Sequence, residues 1–244
     1  MSNPVYSQTV AKVQISDSEA NIGSGKVYDG TSKLLAFAGS ANASENYAAR
    51  INGVIITELI PGVTYYYRVG DGTAWSNVYS FTMPQDDNDT NMFILGDIQA
   101  NDETNIKTIL NRLQNDGTNY DLGIQTGDAV DLGSSYSYWT KSLELMDIFK
   151  NNQAMLHVIG NHEETGKSGE EITSAVYNLQ NPSYYSVDYG LVHVATIEFM
   201  NSMSAYKEAL EWLVEDAAKS NAPYKILVMH QPAYYTNASE PSNA

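Results

Sequence analysis

From residue 1 to about 84 the chain alternates short apolar and polar runs with turn residues between them. This period of two predicts strands at Thr9–Ile15, Ser32–Ala38, Tyr47–Leu59, Thr64–Val69 and Val78–Thr82, and no helix. Ile60-Pro61-Gly62-Val63 places proline at the first central position of a turn and glycine at the next, so a hairpin of an all-β sandwich is expected there. Met83 to Thr90 is polar, acidic and opened by a proline, the composition of a linker. The expected division is therefore a β domain over 1–84, a linker over 85–90 and a second unit over 91–244.

The second unit has a different period. Strands are predicted at Met92–Leu95, Leu122–Thr126, Ala154–Ile159, Tyr184–Val187, Val192–Glu198 and Lys225–Met229. Helical spacing appears at Ile106, Ile109, Leu110 and Leu113, with a start at Asn101 or Asp102 and a stop near Gly117. A second helix is expected from about Ser137 to Lys150, and a third carries Tyr206, Leu210, Leu213, Val214 and Ala217 on one face. Strands alternating with helices predict an α/β unit with a largely parallel sheet covered on both faces. Ligands in such sheets gather at the carboxyl ends of the strands.

Four of those ends carry metal-capable side chains: Gly96-Asp97-Ile98-Gln99, Gly127-Asp128-Ala129-Val130-Asp131, Gly160-Asn161-His162-Glu163 and Met229-His230-Gln231-Pro232. In the first three a glycine lets the backbone turn sharply off the strand, and in all four the residues there offer oxygen or nitrogen to a hard or borderline cation. Two cations about 3.5–4 Å apart would supply a nucleophile at neutral pH and neutralise charge on a transferring phosphoryl group. A carboxylate with two oxygens can bridge such a pair, and Asp128 lies between Asp97 on one side and Asn161 and His230 on the other.

Composition narrows the classes. The 13 Lys and Arg stand against 29 Asp and Glu, a formal charge of −16 that repels nucleic acid, although bound metal reverses the field locally. With no cysteine, disulfides, thiolate catalysis and zinc–thiolate sites are excluded. No apolar run reaches the roughly 18 residues of a membrane span, and Met1-Ser2-Asn3-Pro4 lacks the pattern of a signal peptide. The 18 Tyr and the many Asn, Ser and Thr lead us to expect a bacterial surface or secreted protein.

The ordered strand-end motifs resemble those of the calcineurin-like metallophosphoesterases, whose pattern runs D-x-H, G-D-x-x-D, G-N-H-D/E, a single His after a strand, and G-H-x-H. Within that family the chain resembles purple acid phosphatase-like proteins, which set a β-sandwich similar to the fibronectin type III fold before the catalytic domain and carry a stretch like Leu59 to Gly70. The resemblance implies an αββα metallophosphoesterase domain hydrolysing phosphate esters at two divalent ions (Mn, Fe or Zn), with a metal-bound hydroxide as nucleophile. It implies that Asp97 binds the first metal, Asp128 bridges, and Asn161 and His230 bind the second. It also implies that His162 contacts the substrate phosphate or protonates the leaving group, oriented by Glu163.

Three departures accompany the resemblance. Gln99 stands where a histidine ligand is usual, and a neutral amide is the weaker donor. Asp131 stands in the ligand position of the tyrosine that colours purple acid phosphatases. No G-H-x-H occurs before Ala244, so a piece of a longer chain is expected, its domain incomplete. The alternative is a catalytically impaired interaction module that docks to a cell surface through the β domain.

Other motifs are read as packing or solvent. His157 and His193 lie inside strands and are expected to be core or sheet-face residues. Gly160 to Ser168 misses the P-loop spacing by one residue. Asn42, Asn88 and Asn237 head glycosylation sequons, which carry little meaning in a bacterium.

Overall fold

The computed structural model describes residues 11–38, 46–85, 89–99, 103–150 and 152–232. The sequon asparagines Asn42, Asn88 and Asn237, the expected helix start at Asn101 or Asp102, and the beginning of the strand expected from Thr9 lie outside these residues.

Among the described residues, the N-terminal part contains β1 (Lys12–Ser16), β2 (Lys26–Asp29), β3 (Thr31–Ala38), β4 (Asn46–Gly53), β5 (Thr64–Gly70) and β6 (Tyr79–Thr82). A four-stranded antiparallel sheet runs β2-β1-β5-β6, while β3 and β4 pair only with each other among the described residues. The turn at Ile60–Val63 forms as expected, with Gly62 at φ 76° and the Val63 N–H donating to Ile60 O at 3.3 Å. It does not close a hairpin. β4 belongs to one sheet and β5 to the other, so the turn carries the chain between sheets. The strand expected to reach Leu59 stops at Gly53, where a Cβ would come within 2.5 Å of the Asn178 amide oxygen. A short 3₁₀ segment, Glu19–Ser24, appears where no helix was expected.

The C-terminal part contains β7 (Met92–Leu95), α1 (Glu103–Asn115), β8 (Leu122–Gln125), α2 (Tyr136–Leu145), α3 (Asp147–Lys150) and β9 (Ala154–His157). After these come α4 (Gly169–Val176), β10 (Tyr184–Tyr189), β11 (Val192–Ile197), α5 (Met203–Lys219) and β12 (Tyr224–Met229). Strand–helix alternation alone suggested one sheet; there are two, as the resemblance to an αββα domain implied: β7-β8-β9, all parallel, and β10-β11-β12, with an antiparallel first pair. Leu122, Ile124 and Val158 meet Val192, Val194 and Val228 between them. This explains why β8 and β11 are buried along their whole length rather than on alternate residues. The other face of the first sheet is covered from α1, α2 and α3, through Phe93, Ile98, Leu110, Leu145, Met146 and Phe149. Helix α5 lies against β11, where His193 bonds Asp216. The layers are α, β, β, α.

The helix expected over 137–150 is split at Met146, which is buried in that core and whose N–H bonds back to Ser142 O and Glu144 O. Helix α4 was not anticipated: it spans only eight residues and opens after Ser168 at φ 62° without a side-chain cap.

A third cluster joins the two parts. Leu35 and Phe37 of β3 are buried against Val130, Trp139 of α2 and Ile172 of α4. The β3–β4 pair thus shares a core with the α/β part. A cleft of about 850 Å³, lined by residues including Val13, Phe81, Tyr120, Asp121 and Tyr189, separates the four-stranded sheet from the amino ends of β8 and β9. It lies at the strand ends opposite the candidate ligands.

Candidate metal centre

The carboxyl ends of β7, β8, β9 and β12 meet: backbone bonds join the loops after β7 and β8 and those after β9 and β11, and the His230 side chain after β12 reaches Thr126 O. Asp97 N donates to Gly127 O (3.3 Å), Gln99 N to Asp128 O (2.8 Å) and Phe199 N to Ile159 O (2.8 Å). Asp97, Gln99 and Asp128 all have positive φ (51°, 45° and 53°), a left-handed conformation that L-residues adopt at a cost. Glycine is required beside them. At Gly127 (φ 100°) a Cβ would lie 2.5 Å from His230 Nδ1, and at Gly160 it would lie 2.3 Å from Asp128 Oδ1.

Asp97, Asp128 and His230 bring ligand atoms within 4.8 Å of one another. His230 Nδ1 lies 3.0 Å from the Thr126 carbonyl, which accepts its proton. The other nitrogen, Nε2, then turns its lone pair toward Asn161 Oδ1 at 3.0 Å and Asp128 Oδ1 at 3.5 Å. With Nδ1 bonded to the Thr126 carbonyl, Nε2, Asn161 Oδ1 and Asp128 Oδ1 are left as neighbouring atoms that could share a cation. The donor set of two carboxylates, an imidazole and an amide oxygen suits a borderline divalent ion, so these residues fit a metal. Asp128 is almost fully buried and Asp97 largely exposed.

The remaining expected residues divide. The Gln99 amide lies beside Asp128, its nitrogen 3.4 Å from Oδ2. Asp131 lies outside the Asp97–Asp128–His230 group and beside His162. Its carbonyl lies 2.9 Å from His162 Nδ1 and its carboxylate oxygen 3.4 Å from the same atom. His162 Nε2 is left 3.8 Å from Asp128 Oδ2. The bond to the Asp131 carbonyl, with help from Asp128 and Asp131 charge, raises the imidazole above its ordinary range against the opposing effect of partial burial.

Glu163 does not face the imidazole, contrary to expectation. Its carboxylate is fully buried and accepts from the backbone N–H of Asp128 (2.7 Å), Gly160 (2.8 Å), Ala129 (2.6 Å) and Val130 (3.2 Å). The orienting contacts to His162 come instead from Asp131. The sequence reading also missed Gln125, whose buried amide donates to Gly127 O (2.6 Å) and accepts from Gly127 N (3.1 Å). A glutamine inside an apolar strand carries no spacing signal that would have marked it. His193 is a sheet-face residue as expected, with its ring nitrogens 2.8 Å from Asp188 and 2.9 Å from Asp216.

A family profile described as Calcineurin-like phosphoesterase matches residues 90–243. The chain belongs to that family. A second profile, Purple acid Phosphatase, N-terminal domain, matches residues 3–83. Purple acid phosphatase 21 of Arabidopsis thaliana is 24% identical over 205 residues, covering 78% of this chain and 45% of that protein. Acid phosphatase type 7 of Homo sapiens is 24% identical over 208 residues, covering 77% and 46%. Among solved structures, purple acid phosphatase PPD1 from yellow lupin seeds superposes with a TM-score of 0.72 at 19% identity, over 93% of this chain and 47% of that one. The fold is therefore a purple acid phosphatase-like β domain followed by an α/β metallophosphoesterase domain, in a family of metal-dependent hydrolases. The chain spans about half the length of the curated relatives it matches. No helix among the described residues is long and apolar enough to cross a membrane.

Proposed function

We propose that this chain carries the metal-binding part of a binuclear hydrolase of phosphate esters. The observation that supports this most directly is the convergence of Asp97, Asp128 and His230 within 4.8 Å, with Asn161 Oδ1 3.0 Å from His230 Nε2. In this reading Asp97 holds one cation, Asn161 and His230 hold the other, and Asp128 is shared. A bound pair of Mn, Zn or Fe ions supplies a water nucleophilic at neutral pH and neutralises phosphoryl charge. The Thr126 carbonyl fixes the His230 tautomer so that Nε2 is the ligand atom. His162, with Nδ1 held by Asp131 and Nε2 on the Asp128 side, holds a proton at Nε2 for the leaving oxygen or the substrate phosphate. Its raised pKa keeps that proton in place to higher pH.

The division at 85–90 and an extracellular or bacterial surface location belong to the same reading, the location resting on composition alone. The surface-module alternative is disfavoured by Leu35 and Phe37, which pack one face of the β3–β4 pair against α2 and α4. The test is titration of Mn²⁺ into the protein by calorimetry, alongside hydrolysis of para-nitrophenyl phosphate and its bis ester by the full-length form. Asp128→Ala should abolish tight Mn²⁺ binding and lower turnover by several orders of magnitude. Hydrolysis that survives this substitution refutes the shared-ligand role.

A further inference from the structure

We propose that Glu163 is a positioning residue for the metal ligand Asp128, acting through the backbone rather than through His162. The proposal rests on the metal-site reading above and adds to it a reason why the site holds its shape. Two carboxylate oxygens gather four N–H groups from two loops. Oε2 takes Asp128 and Gly160, and Oε1 takes Ala129 and Val130. The first three are 2.6–2.8 Å long, in the range of charge-assisted bonds.

These contacts do what the loop most needs. Asp128 leaves β8 with φ 53°, a conformation unfavourable for a residue with a Cβ, and the three N–H groups at 128–130 point the same way into a concavity. Such a concavity is an anion-binding arrangement of backbone. Here the anion is part of the protein. The bond from Gly160 ties the loop after β9 to the loop after β8, and with it Asn161 to Asp128. His162 N completes the tie from the other side by donating to Asp128 Oδ1 at 3.0 Å. Close packing leaves no slack, because a Cβ at Gly133 would lie 1.8 Å from the Glu163 carbonyl oxygen.

Substitution chemistry gives a specific consequence. Glutamine keeps one acceptor oxygen but turns an NH₂ toward two N–H donors, so one pair of bonds is replaced by a donor clash. Aspartate keeps both oxygens but is one methylene too short to reach all four. Each should leave the fold standing and loosen the Asp128 carboxylate, lowering metal affinity by roughly 10- to 100-fold, the usual effect of disturbing a partner that orients a ligand.

The experiment titrates Mn²⁺ into the metal-free chain by calorimetry for the wild type, Glu163→Gln, Glu163→Asp and Asp128→Ala, with circular dichroism to establish folding. A Kd raised by roughly 10- to 100-fold in folded Glu163 variants, with Asp128→Ala binding more weakly still, supports the proposal. A folded Glu163→Gln protein with wild-type Mn²⁺ affinity overturns it while leaving the metal site intact. A wild type that binds no Mn²⁺ overturns the underlying reading as well. Should the variants fail to fold, amide exchange on the metal-free wild type decides. Protection at Asp128, Ala129, Val130 and Gly160 matching that of β8 supports a loop set before metal arrives, and exchange at surface-loop rates overturns it.

Discussion

Phe37→Ala perturbs the β domain at a residue about 98% buried, yet its effect should be read in the α/β part. The ring packs with Leu35, Val130, Trp139 and Ile172 and meets Tyr136 edge-on, with centroids 5.4 Å apart. Removing about 150 Å² of apolar surface at about 25 cal/mol per Å² costs about 4 kcal/mol. That agrees with the roughly 3–5 kcal/mol seen when a phenylalanine is cut back to alanine in a core. Against a typical stability of about 5–15 kcal/mol this is a large fraction. Because Val130 lies two residues from Asp128 and Trp139 Nε1 bonds Gly133 O at 2.7 Å, the cavity opens beside the loop that carries Asp128. Urea unfolding followed by tryptophan fluorescence should show the whole loss. Amide exchange should show reduced protection from Val130 through Leu145. If only β3 and β4 lose protection while that segment keeps wild-type values, the shared core does not couple the two parts, and the reasoning fails.

Two buried titratable groups give opposite pH dependences. Burial holds His157, stacked on Tyr177 at 3.8 Å, down at about 4 from 6.5. Between those values the unfolded chain binds a proton that the folded one refuses, so stability is full above pH 6.5 and falls toward pH 4, by about 3 kcal/mol. His157→Phe should flatten that limb in urea midpoints measured at pH 7.5 and 4.5, and an unchanged slope counts against it. Burial, reinforced by Glu170 and Glu164, lifts Glu198 to about 7 from 4.5, and its Oε2 is buried without a donor. The folded state therefore keeps a proton that the unfolded state releases, and stability is lost as pH rises through about 7. Glu198→Gln should be neutral at pH 4.5 and stabilising by up to about 3 kcal/mol at pH 8. Equal melting-temperature shifts at both values refute this.

Much of the candidate site was legible in order along the chain. Asp97, Asp128, Asn161 and His230 each follow a strand, and parallel strands deliver their ends to one edge whatever the details of packing. The strands themselves were readable because apolar runs bounded by glycine and polar residues have few other uses. Helix α4 was not readable, since Ile172 is its only large apolar residue buried completely, and no cap marks its start. The hairpin expected at Pro61-Gly62 failed for a related reason. A turn type follows from two residues, but which strands it joins depends on partners far away in the chain.

Residue types and their spacing determined the two-part architecture, the edge where chemistry gathers and the candidate ligands. Only the tertiary structure decided what each carboxylate faces. Glu163 follows His162 directly, yet consecutive side chains leaving a turn point in different directions, so its carboxylate turns inward to four backbone N–H groups while the imidazole turns outward to Asp131. The same holds for Phe37, whose alternating pattern marks it as buried. What buries it is Val130 and Trp139, nearly a hundred residues or more along the chain, a pairing set by packing in three dimensions.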